Sequence, residues 1–158
     1  MTAHVTSKRL GLAVATASVL SLACLMSPVL AGDAGRAGTA NLIFDCTNYT
    51  GAAGSTCTAT SSNFAEMPVG TVAYHIQAAN IVPGLLDTNV VYDAGNGNRA
   101  IGHCTTDLVS LTGLCQFTDG TGQLAGFEAR FDVGSTAPAI FSVTGPYHFK
   151  DIHHLRDS

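Results

Sequence analysis

Glu128, Arg130 and Asp132 stand two residues apart in Gln-Leu-Ala-Gly-Phe-Glu-Ala-Arg-Phe-Asp-Val, residues 123–133. In an extended chain that spacing puts a carboxylate, a guanidinium and a second carboxylate on one face. Turned into an enclosed space, Glu128 and Arg130 could polarise a carbonyl or an epoxide and move a proton. Turned outward, they form an ordinary solvated charge ladder. The opposite face carries Phe127, Ala129, Phe131 and Val133, and its apolar character favours the outward reading of the charges. Tyr147 is the third catalytic candidate. It shares phase with Phe141, Val143 and Phe149, so its hydroxyl would either orient a ligand or satisfy a hydrogen bond in the core.

Two further residues are candidates for contact with a ligand, His75 and Tyr74. As neighbours on a strand they face opposite ways. His75 could act as a general base lining a cavity, against the more ordinary role of a hydrogen-bonded structural histidine. His148, His153 and His154 invite a metal reading, but two are sequence neighbours close to the end of the chain and no carboxylate is spaced to complete a shell. No metal site and no cofactor is expected. Phosphate loops are absent too, and no serine stands in a glycine-flanked elbow.

The cysteines speak to compartment. Lys8 and Arg9 precede an uncharged apolar run, Leu10 to Met26, and Val29 and Ala31 occupy the small-residue positions of a cleavage site. We read residues 1–31 as a secretory signal cut after Ala31. An uncleaved anchor is the competing reading, since Leu10 to Ala31 has the length of a spanning helix. Cleavage removes Lys8 and Arg9 from seven basic residues and leaves five against eleven acidic ones. An acidic domain offers no electrostatic footprint for nucleic acid or anionic lipid. Cleavage also removes Cys24 and leaves Cys46, Cys57, Cys104 and Cys115. In an exported, periplasmic or secreted domain four cysteines imply two bridges. Equal separations within each sequence pair favour Cys46–Cys57 and Cys104–Cys115 over the crossed pairings, each closing a short polar loop.

These residues need elements to hold them. Residues 32–40 are small and flexible in type and read as a lead-in, residues 41–150 as the folded domain, and residues 151–158 as a polar tail. Strands are expected at Asn41–Cys46, Val69–Ala78, Thr88–Asp93, Arg99–Cys104, Cys115–Thr118, Gln123–Val133 and Ala139–Phe149. The segment Tyr49 to Ser55 should be an exposed loop, and Asn48-Tyr49-Thr50 is formally a glycosylation acceptor. Asn96-Gly97 between two apolar runs is a tight-hairpin signal, because both turn residues need positive φ. No long helical period occurs. Hairpin after hairpin predicts an all-β fold, an antiparallel up-and-down barrel of about eight strands, with a β-sandwich as the alternative.

At Gly120-Thr-Gly-x-Leu-x-Gly126-Phe-x-Ala129, with Gly145-Pro-Tyr147-His-Phe149 closing the last strand, the chain resembles the allene oxide cyclase and dirigent barrel superfamily, and its small secreted bacterial members in particular. The resemblance covers about the last third of the chain. It implies an eight-stranded barrel with an apolar cavity, in which a hydrophobic, reactive substrate is folded and steered to cyclise or couple without metal or nucleotide. No residue role is carried over from it. Two rival functions remain beside a cyclase or isomerase: a lipocalin-like carrier of a hydrophobic small molecule, and a structural envelope domain whose core is filled by side chains.

Overall fold

The computed structural model describes residues 36–151. The expected signal peptide, residues 32–35 of the lead-in, and His153 and His154 lie outside the described residues. Eight antiparallel strands follow one another around a closed barrel: β1 (Ala37–Asp45), β2 (Thr56–Ser62), β3 (Val72–His75), β4 (Leu85–Asp93), β5 (Arg99–Asp107), β6 (Thr112–Thr121), β7 (Phe127–Ala137) and β8 (Ile140–Phe149). Each strand pairs with its sequence neighbours and β8 closes on β1, so the fold is the expected up-and-down barrel.

The alternation that builds the wall is plain in β4. Leu86, Thr88, Val90 and Tyr92 are buried, while Asp87 and Asn89 are exposed. β7 follows the same rule from Phe127, which with Phe131 is fully enclosed, and Arg130 and Asp132 face out. The turn between β4 and β5 is the one announced by Asn96-Gly97: φ is 54° at Asn96 and 80° at Gly97. Gly102 is required for a different reason. A Cβ there would come within 2.7 Å of the Phe117 ring, which is buried in the core opposite it on β6.

Several boundaries differ from expectation. β1 begins at Ala37, inside the expected lead-in, because residues 37–40 pair with the far end of β8. β2 has no counterpart in the sequence reading: Thr-Cys-Thr-Ala-Thr-Ser-Ser lacks large apolar residues, since its inward positions are only Cys57 and Ala59. The segment expected as a polar loop between Cys104 and Cys115 is instead a hairpin, with the two cysteines directly opposite in the β5–β6 register and only residues 108–111 left as turn. The Gly-Thr-Gly turn contains a single 3₁₀ turn, Gly122–Leu124, whose Leu124 is fully buried.

The barrel is filled unevenly. One end holds Phe64 and Met67 from the β2–β3 connection, Leu124, and the rings of Phe127, Tyr147 and Phe149. These rings stack with centroids from 4.4 Å (Phe64–Tyr147) to 6.4 Å (Phe64–Phe149). Burying each phenylalanine contributes roughly 1.5–3 kcal/mol. Arg36 closes this plugged end, its guanidinium 3.9 Å from the Phe149 ring centroid and paired with Glu66. Toward the other end the inner faces of β2 and β3 carry only Cys57, Ala73 and His75. Small side chains there leave the space that aromatic rings occupy at the plugged end.

Candidate functional site

That space is a partly open cavity of about 200 Å³. Phe44, Tyr92 and Val143 bound it toward the plug, and the centroids of Phe44 and Tyr92 are 5.0 Å apart. Its walls are Leu86, Val133 and Phe141, and Leu108 and Leu111 reach in from the β5–β6 turn. Among the described residues, no Lys, Arg, Asp or Glu contributes to the lining. Beside the mouth, Ile81 and Val82 of the β3–β4 connection and Val109 of the β5–β6 turn are exposed. The Leu108 N–H donates to the Gly84 carbonyl at 2.8 Å and joins these two segments. Gln77 fastens the β3–β4 connection to β4: its backbone N–H donates to the Thr88 hydroxyl at 3.0 Å, and its side-chain Oε1 accepts from the Asn89 N–H.

Both disulfides, Cys46–Cys57 and Cys104–Cys115, belong to the cavity wall. Their Cα atoms are 4.3 and 4.1 Å apart. One bridge joins the end of β1 to β2 and the other joins β5 to β6, four strands further round, so they brace opposite sides of the barrel. The favoured cysteine pairing is the one present, and the bridges line a cavity as well as clamping hairpins.

Of the five catalytic and ligand-binding candidates, His75 alone lines the cavity. Its Nδ1 lies 3.2 Å from the Ser55 carbonyl, a contact that makes Nδ1–H the donor in the neutral ring. Burial lowers its pKa from 6.5, opposed by that hydrogen bond. Tyr74 is placed on the outer wall, 40% exposed, because Ala73 and His75 take the inward phase of β3. Glu128 and Arg130 are outside as well, the outward orientation that the apolar face favoured, so as catalytic candidates they do not line the cavity: the aromatics claim the inner face of β7. The Glu128 carboxylate pairs with Lys150 at 2.5 Å and His148 at 2.8 Å, and the Lys150 hydrogen bond holds its pKa below the ordinary carboxylate value. Tyr147 faces inward but at the plugged end, packed on Phe64, Phe127 and Phe149, away from the cavity lining.

The residue missed from sequence is Tyr49. It stands in the first cysteine loop, expected to be exposed, yet it lines the cavity with its ring half-buried. Its ring meets His75 edge-on with centroids 5.1 Å apart. Its hydroxyl oxygen is buried and has no hydrogen-bond partner among the described residues, and burial raises its pKa. A lone aromatic inside a disulfide loop of Gly, Ala, Ser and Thr was the available signal. Among the described residues there is no group of three side chains suited to a metal ion, and no helix is long and apolar enough to cross a membrane. No family model, curated protein or solved structure matches the chain.

Proposed function

We propose that this protein is an exported β-barrel that binds a small hydrophobic molecule in the cavity between its two disulfides. The carrying observation is the apolar, partly open cavity of about 200 Å³ at one end of a barrel whose other end is packed solid. An engineered apolar cavity of about 150 Å³ is large enough to take up benzene, so the space suits a ligand of about one ring. The exposed Ile81, Val82 and Val109 beside the mouth are consistent with entry of an apolar molecule there. Two disulfides support an oxidising compartment, periplasmic or extracellular.

The experiment is uptake. Purified protein is extracted with organic solvent for mass spectrometry, and an apolar fluorophore is titrated into the extracted protein. Saturable uptake is expected, with competition by small arenes, and Val133→Phe, which puts a ring into the cavity wall, should abolish it. Absence of both a co-purified ligand and fluorophore uptake would leave the envelope-domain reading standing alone. A cofactor-free cyclase or isomerase is the second reading, favoured by His75, whose second ring nitrogen has no bond among the described residues and could accept a proton. It requires that substrate turnover fall with His75→Gln and survive Glu128→Gln and Arg130→Gln.

A further inference from the structure

We propose that the cavity end of the barrel rests on a neutral lipid surface, with Ile81, Val82 and Val109 inserted among the lipids. The proposal concerns the outside of the rim, so it stands whether or not the cavity holds a ligand.

The strand order sets four connections at this end: residues 46–55, 76–84, 108–111 and 138–139. None of them contains Asp, Glu, Lys, Arg or His. Charge gathers at the opposite end, in the pairs Arg36–Glu66, Arg99–Asp93 and Lys150–Glu128. On the uncharged end, large apolar side chains stand out from the turns: Val109 is 88% exposed and Ile81 69%. The bond from the Leu108 N–H to the Gly84 carbonyl sets the two turns side by side. Each turn is also fixed from within. The Asp107 carboxylate accepts from the Val109 and Ser110 N–H groups at 2.8 Å, and the Asn80 side-chain oxygen accepts from the Gly84 N–H at 3.1 Å.

Exposed apolar patches mark contact with protein or with membrane, and three features favour lipid. The first is shape. With Leu111 the apolar part of this end amounts to four exposed side chains, against roughly 20–30 residues a side in a stable protein interface. A rigid partner, a second copy included, would need a pocket fitted to each separate tip, whereas fluid lipid conforms to them. The second is charge. A charged partner finds no countercharge in these connections, and the nearest carboxylates, Asp45 and Asp107 at the ends of β1 and β5, would repel anionic headgroups. Neutral, zwitterionic lipid remains, held by apolar burial and therefore insensitive to salt. The third is the cavity mouth, which opens on the same end. An apolar molecule dissolved in the lipid would reach it without crossing water; this point alone rests on the ligand reading.

The chain contains no tryptophan, so one introduced indole reports its own surroundings. Val109→Trp is mixed with phosphatidylcholine vesicles, with and without bromine on the acyl chains. Gln123→Trp, exposed at the plugged end, is the control. Both are made in the exported protein, its N-terminus and two disulfides read by intact mass. Emission from Val109→Trp should move to the blue and be quenched by brominated lipid, while Gln123→Trp should be unaffected. In vesicle flotation, wild type should bind phosphatidylcholine equally at low and high salt and bind less as phosphatidylglycerol is added. Val109→Asp and Ile81→Asp should each weaken binding on the order of tenfold, the effect of keeping one apolar side chain out of lipid. Both positions are exposed, and an unchanged unfolding temperature verifies the fold of each variant. Absence of flotation, or equal quenching at the two indole positions, overturns the proposal. Binding that requires phosphatidylglycerol and falls with salt overturns it too. So does a dimer in sedimentation that Val109→Asp dissociates while no vesicle is bound, which would give this face to a second copy.

Discussion

At the scale of single residues, His75 and Tyr49 share one corner of the cavity, and burial acts oppositely on their titration. For His75 it disfavours the imidazolium, so the folded pKa lies below the 6.5 of a free side chain. The unfolded chain therefore takes up the proton first as pH falls. The stability His75 contributes is complete above its unfolded value and is lost as pH drops from there toward the folded one. Urea denaturation at about pH 7.5 and 5.5, bracketing that ordinary value, should show wild type losing more stability than His75→Gln. Equal losses would refute the shift. Tyr49 carries a buried hydroxyl that has no hydrogen-bond partner among the described residues. Without ligand, Tyr49→Phe should be neutral or stabilising by up to about 1 kcal/mol, since it deletes a buried hydroxyl with no partner. A loss above that size in the same denaturation series would mean that the hydroxyl is bonded within the fold.

At the scale of elements, what the sequence made legible follows from side-chain size. β7 and β8 carry aromatic residues in alternation, so their existence and their apolar faces could be read, though which face of β7 turns inward was open; β4 was read only from Thr88 and without a facing, while Asn96-Gly97 located a hairpin to the residue. β2 escaped because its inward residues are Cys57 and Ala59, too small to register as a hydrophobic period. The same smallness opened the cavity, so the element hardest to read was the one that makes the site. Facing on β3 was open for a related reason: its inward residues, Ala73 and His75, are less apolar than the outward Val72 and Tyr74, which inverts the usual cue. The two faces of β7 also make a prediction. Phe127→Ala should destabilise by about 3–5 kcal/mol, as for other large-to-small core changes, because its ring touches five neighbours in the plug and the wall: Phe64, Phe117, Phe131, Tyr147 and Phe149. Glu128→Gln, one residue along and facing solvent, should leave fluorophore uptake unchanged. Uptake lost in that variant would return Glu128 to the site.

At the scale of the whole molecule, the barrel is a cup with an aromatic base and a covalently braced rim. The base can stand alone on packing, but the rim encloses free volume and has fewer contacts to hold it. Each disulfide closes a segment of sequence separation 11, worth roughly 2–3 kcal/mol in the chain-entropy account. Replacing Cys104 and Cys115 together by Ala should lower stability by that amount and weaken ligand uptake, with hydrogen exchange rising in β5 and β6 near the turn and the plug staying protected. Uniform exchange through the whole barrel would argue against a distinct rim. Intact mass should lie four hydrogens below that of the reduced chain, as two bridges require. A last consequence comes from the even number of strands. A chain that runs up and down eight times ends beside its start, and here the Phe149 N–H donates to the Arg36 carbonyl at 2.9 Å at the plugged end. The strand order is thus a ring with one gap. A short linker from Lys150 to Arg36, with new ends opened at Asn96-Gly97, would give a circular permutant with the same barrel, both disulfides and an unobstructed cavity mouth.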